Sequence, residues 1–101
     1  MDFDAAKKLA EQSALVDLQG LYDGPASDVL EAEHFETKDC IMFFRNRAIY
    51  VPPERALSEF AYAFSKHNNE ARCVPDYWDD RARLEEYLDL LSVYFSRELP
   101  S

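Results

Sequence analysis

His34, Cys40, His67 and Cys73 are the side chains of this sequence best able to hold a metal or supply a nucleophile. Each histidine precedes a cysteine by six positions, and the four together make up the donor set of a tetrahedral Cys2His2 zinc centre. The spacing argues against one. Structural zinc sites place paired ligands about two to five residues apart so that a single turn presents both. Six positions along a helix, at roughly 100° each, carry the second residue well away from the first one's face. Ordinary histidines and two buried thiols are the simpler expectation, with no metal and no cofactor. A small His/Cys metal-binding protein stays as an alternative. A cysteine-histidine nucleophile needs no adjacency in sequence, but it does need an oxyanion donor and a cleft. Only Gly20 and Gly24 are present to let backbone approach a substrate closely. With no C-x-x-C pair, a disulfide framework is unsupported as well.

Asp76, Asp79, Asp80, Glu85 and Glu86 could pair as acid and base or bind a divalent cation. Helix capping accounts for the three aspartates, and Glu85 and Glu86 beside Arg81 and Arg83 read as a solvated helix face. No glycine-rich phosphate loop, G-x-S-x-G, H-E-x-x-H or EF-hand pattern is present, which removes phosphoryl transfer and dinucleotide binding. No catalytic residue is therefore expected. The unusual surface lies in the last helix. Leu84, Leu88, Leu91 and Phe95 fall in a band of roughly 60° that must face a core. Tyr87, Leu90 and Tyr94 form a second band beside it, and the combined arc of roughly 160° is wider than one stripe needs. Tyr87, Leu90 and Tyr94, with Tyr77 and Trp78 just upstream, are the expected partner-binding residues. The rival reading packs the second band against the first helix with its hydroxyls at the wet margin.

These residues must be carried by elements that the sequence also marks. Asp2 or Asp4 can cap a first helix that runs to about Gly20. Ser27 can cap a short helical stretch over residues 28–34. Cys40 to Phe44 and Ala48 to Val51, rich in β-branched and aromatic residues and separated by Arg45-Asn46-Arg47, read as a hairpin, with a single helix over residues 38–48 as the competitor. Pro52-Pro53-Glu54 opens a third helix, with Leu57, Phe60, Ala61 and Phe64 at core spacing and a stop at His67. A loop over residues 68–75 leads to the last helix, capped by Asp76 or Asp79 and running to about Leu99. The expected fold is α+β and mostly α, with an N-terminal helix, a short β-hairpin and two C-terminal helices packed as one domain over residues 1–101.

Composition bounds the function class. The chain of 101 residues carries a net charge of −9, with ten acids against three bases in residues 1–39 and seven against three in residues 76–101. That balance counts against direct binding to nucleic acid. No apolar run of membrane-spanning length and no basic, apolar leader is seen, so a cytoplasmic protein with no membrane contact is expected. The reading these features favour is a non-enzymatic interaction protein, an inhibitor, anti-activator or immunity-type regulator, steered by its acidic ends and docking through the aromatic band. Its expected partner is a protein, such as a DNA-binding regulator with a basic or apolar face, or a second copy in a homodimer. The alternative within this class is a nucleic-acid mimic that inhibits a DNA-binding protein.

Overall fold

Helix α1 spans Phe3–Asp17 and begins where the sequence marks it. The Asp2 carboxylate accepts a hydrogen bond from the Ala5 amide at 2.8 Å, satisfying one of the amides that a helix start leaves open. Beyond its end Gly20 adopts φ 84°, a left-handed conformation that turns the chain away. Four strands follow, β1 (Phe35–Glu36), β2 (Cys40–Phe44), β3 (Glu59–Ser65) and β4 (Ala71–Pro75), and then helix α2 (Arg81–Ser96). The computed structural model describes residues 1–55 and 59–97. Among them the strands form one antiparallel sheet in the order β1-β2-β3-β4, each pairing with its neighbour in sequence.

The central strands are buried on both faces, because the pleat deals successive side chains to opposite sides. Every residue of β2 is buried: Ile41 and Phe43 join one core, while Cys40, Met42 and Phe44 join the other. β3 divides the same way, Tyr62 and Phe64 against Ala61 and Ala63. α1 covers the first face with Ala6, Ala10, Ala14 and its cap Leu18. α2 covers the second with Leu84, Leu88, Leu91 and Phe95, the band its spacing marks. The result is a sheet between two helical layers.

The fold is α+β, but the expected order of helix, hairpin and two C-terminal helices is wrong in its middle. β2 forms, yet its partner is not residues 48–51. It pairs with β3, Cys40 opposite Ser65 and Phe44 opposite Ala61, inside the stretch read as a third helix. Of that helix's stripe, Leu57 lies outside the described residues, and Ala61 and Phe64 point to opposite faces of the sheet. Pairing with β2 and burial on two faces outweigh the local helical spacing. Residues 46–49 instead make a turn, in which the Asn46 side-chain oxygen accepts from the Ala48 amide at 2.9 Å and the Asn46 carbonyl from the Ile49 amide at 3.1 Å. The short helix expected over residues 28–34 reduces to a 3-10 turn at Ala26–Asp28, and the loop expected over residues 68–75 contains β4. α2 starts later than expected: Asp80 is the cap, accepting from the Arg83 amide at 3.2 Å. Leu99, its expected end, lies outside the described residues.

Candidate functional site

The sheet keeps the four possible metal ligands apart. Cys40 lies in the core under α2, where burial pushes its thiol up to about 12 and leaves it inert. Cys73 is on the opposite face, exposed beside Gln12, Ser13 and Val16 of α1, and neither cysteine is in a disulfide. The His34 ring lies 4.7 Å from that of Phe3 and 5.8 Å from that of Phe43, with Nε2 3.4 Å from Glu36. His67 Nε2 is 2.6 Å from Asp39 Oδ1. Among the described residues no three His, Cys, Asp or Glu side chains converge as a metal site.

The Asp39 contact belongs to a polar cluster that sequence reasoning missed. Asp39 is buried. Its Oδ2 accepts from the Ser92 hydroxyl, and the Ser92 oxygen accepts from the Thr37 hydroxyl at 3.1 Å. The Thr37 oxygen also accepts from the amides of Asp39 and Cys40 at 3.1 and 3.0 Å. The Ser92 hydrogen bond first, and the His67 contact second, hold the Asp39 carboxyl below the usual carboxylate range against the opposing effect of burial. Serine, histidine and aspartate together suggest a hydrolytic triad, but their order forbids it. A triad sets the histidine between nucleophile and acid. Here the carboxylate stands between Ser92 and His67, so the imidazole is not placed to take the serine proton. The cluster instead ties the β1–β2 turn, the residues after β3 and the middle of α2 together. Apart from Thr37 and Asp39, its members stand far apart in sequence, and no spacing links them.

The candidate carboxylates do not assemble either. Asp76 pairs with Arg47 and accepts the Trp78 amide at 3.0 Å, Asp80 caps α2, and Glu85 and Glu86 are exposed on that helix.

The five aromatic and apolar residues singled out from the sequence separate into a cluster of four and one outlier. Tyr77 and Tyr87 meet edge to face at 5.6 Å, and with Arg83, Glu86 and Leu90 they line a shallow groove. Leu90, Tyr87 and Tyr94 continue this surface to Arg72 on β4. Both tyrosines of α2 are half-buried, whereas Leu90 between them is 65% exposed. The Arg97 and Arg72 guanidinium carbons lie 3.6 and 4.6 Å from the centre of the Tyr94 ring, and that of Arg83 lies 5.5 Å from the Tyr77 ring. These cations flatten against π faces and frame the apolar patch, a role that spacing alone gave no sign of. Trp78 turns away. It meets Phe44 at 5.3 Å and Phe35 at 6.4 Å, under Arg81 at 4.6 Å and Arg47 at 5.2 Å, and closes one end of the core below α2.

Chemically, the patch offers contact area, ring faces and guanidinium donors around an exposed leucine, and it brings no nucleophile together with a base. Comparison with family models, with curated proteins and with solved structures finds no match for this chain, so the functional reading rests on this geometry.

Proposed function

We propose that the chain is a non-enzymatic binding protein that modulates another protein by occupying its surface, docking through Tyr77, Tyr87, Leu90 and Tyr94 on the outer side of α2. The observation that carries this reading is Leu90, 65% exposed and set between two half-buried tyrosines. Tyrosine and arginine are enriched at binding hot spots, and an apolar anchor ringed by them can exclude water when covered. Charge acts at longer range. The net −9 steers association toward a partner with basic surface, raising the encounter rate and selectivity more than the affinity. No helix among the described residues is long and apolar enough to cross a membrane.

The experiment compares immobilised wild-type chain with Leu90→Asp in an extract of the native cell. Species retained by the wild type and lost from a variant that still unfolds cooperatively at an unchanged temperature support the reading. Identical captured species with the two proteins would refute it.

A further inference from the structure

Resting on the docking role of α2, we infer that its outer side takes a second copy of this chain when no other protein covers it, α2 against α2, antiparallel, about a two-fold axis between Leu91 and Ser92. α2 exposes two large apolar residues, Leu90 at 65% and Val93 at 67%. Glu86, Leu90, Val93 and Arg97 stand 4, 3 and 4 positions apart, and at roughly 100° per residue they fall within a band of about 60°. All four are exposed, and Arg97, which follows the last residue of α2, keeps helical angles of φ −64° and ψ −23°. The band lies roughly opposite Leu84, Leu88, Leu91 and Phe95, which face the sheet. A second helix laid along it is therefore kept off the sheet by the width of α2, about 10 Å. Alternating steps of four and three are the seam of a helix pair, and the charges at its two ends decide the orientation.

The occupant follows from the order of those charges. With its axis between Leu91 and Ser92, an antiparallel pair sets Leu90 against the other copy's Val93 and Glu86 against the other copy's Arg97, and the symmetry repeats both contacts. A parallel pair opposes Glu86 with Glu86 and Arg97 with Arg97. An antiparallel axis at Leu90 opposes Arg83 with Arg97, and one at Val93 sets Leu90 against Ser96. Only the first arrangement joins apolar to apolar and acid to base along the seam. On one side of it Tyr94 of each copy comes beside Tyr87 of the other, so the groove that these rings line with Arg72 continues from copy to copy. On the other side Asp89 comes beside Ser96. Arg97 is already anchored, its Nη1 donating to the Tyr94 carbonyl at 2.7 Å, so less of its freedom is lost on pairing. Repulsion between two chains of net −9 is screened beyond about 8 Å at about 0.15 M salt, so the local pairs decide the contact. Pairing covers Leu90, and a protein that docks on this side must displace the second copy.

Sedimentation equilibrium of the purified chain at about 0.15 M salt reads the claim without any other partner. The wild type is expected to move from monomer to dimer mass as concentration rises. Val93→Asp should abolish the dimer, because it sets a carboxylate against Leu90 of the other copy. Glu86→Arg should raise the midpoint concentration about tenfold, since it turns both facing charge pairs into like charges. Adding Arg97→Glu to it restores opposite charges and should restore the midpoint. The register is read by disulfide capture in a Cys73→Ser background. An equimolar mixture of Leu90→Cys and Val93→Cys should give, under mild oxidation, a mixed covalent dimer well beyond its statistical share, because positions 90 and 93 face each other across the seam. Thermal unfolding of each variant confirms that it is folded. A wild type that stays monomeric, a Val93→Asp variant that dimerises like the wild type, a double exchange as weak as Glu86→Arg alone, or a mixed dimer at its statistical share would each overturn the proposal. A monomeric wild type would leave docking onto another protein standing, because this measurement contains no other protein.

Discussion

The two faces of the sheet are packed by opposite means. Under α1 the helix is small and the sheet is large: Ala6, Ala10 and Ala14 lie against Ile41, Phe43, Tyr62 and Phe64. Under α2 the helix is large, and β3 answers it with Ala61 and Ala63, leaving Met42 and Phe44 of β2 as the bulky sheet residues. Either arrangement fills space, since large against small interdigitates at constant volume. They differ in what is left over. An alanine stripe puts nearly all the burial of its layer on the sheet side, and the exposed Leu9 and Val16 of α1 lie outside any aromatic cluster. α2 carries more apolar and aromatic surface than one sheet face takes up, and the excess gathers as Tyr87, Leu90 and Tyr94 beside Tyr77. The α1 layer closes its core with alanines and leaves Leu9 and Val16 outside it without aromatic neighbours, whereas α2 keeps an open side where tyrosines gather around Leu90.

The closed layer should be the more fragile. Phe43 is 2% exposed, with its ring 5.6 Å from Phe3 and 6.1 Å from Phe64. Phe43→Ala is expected to cost about 3–5 kcal/mol in denaturant unfolding, the usual range for emptying an aromatic site. Ala10→Leu should cost about 1–3 kcal/mol, because a fully buried alanine leaves no room for the added atoms without moving the helix. A variant with Leu at position 10 as stable as the wild type would show that α1 does not sit close on the sheet.

Titration probes the α2 side, where Asp39 meets Ser92 and Cys40 lies in the core. The Asp39 carboxyl is held below its ordinary value of 3.8, so the unfolded chain binds the proton more readily, and the stability it contributes is lost as pH falls below that value. Asp39→Asn should flatten that acid limb. Cys40 behaves in the opposite sense. Its thiol is raised from 9.0 to about 12, so its contribution is complete below 9.0 and is lost as pH climbs toward 12. Iodoacetamide at mildly alkaline pH should therefore alkylate Cys73 in the native protein and Cys40 only after unfolding. The smallest effect belongs to the open side: Leu90→Ala should change stability by no more than about 0.5 kcal/mol.

The helices were legible in the sequence because their signals are local. Asp2 and Gly20 bracket α1, and the spacing of Leu84, Leu88, Leu91 and Phe95 gives the buried face of α2. The apolar run at residues 40–44 was legible as a strand, but its partner was not. Phe60-Ala61-Tyr62-Ala63-Phe64 alternates large and small as a strand does, yet Leu57, Phe60, Ala61 and Phe64 also fit a helical stripe. Only pairing with β2 distinguishes the two, and pairing is a long-range fact. β4 gave even less signal, because an edge strand with Val74 as its one buried residue shows no apolar alternation and reads as loop. At the candidate site the Tyr87, Leu90 and Tyr94 band came from helical geometry. Trp78 adjoins it in sequence but not in space, and the cluster of Asp39 with His67 and Ser92 depends on tertiary contacts.

The central claim is that the open side of α2 is a docking surface, and site-directed photo-crosslinking in the native cell tests it most directly. A photoreactive residue replaces Leu90 in one variant and Leu9 of α1, 40% exposed, in the other. The expected result is a discrete adduct heavier than a covalent dimer of the chain from position 90 and none from position 9. Equal adducts from the two positions, or no heavier adduct from position 90 in a folded and expressed variant, would contradict the account.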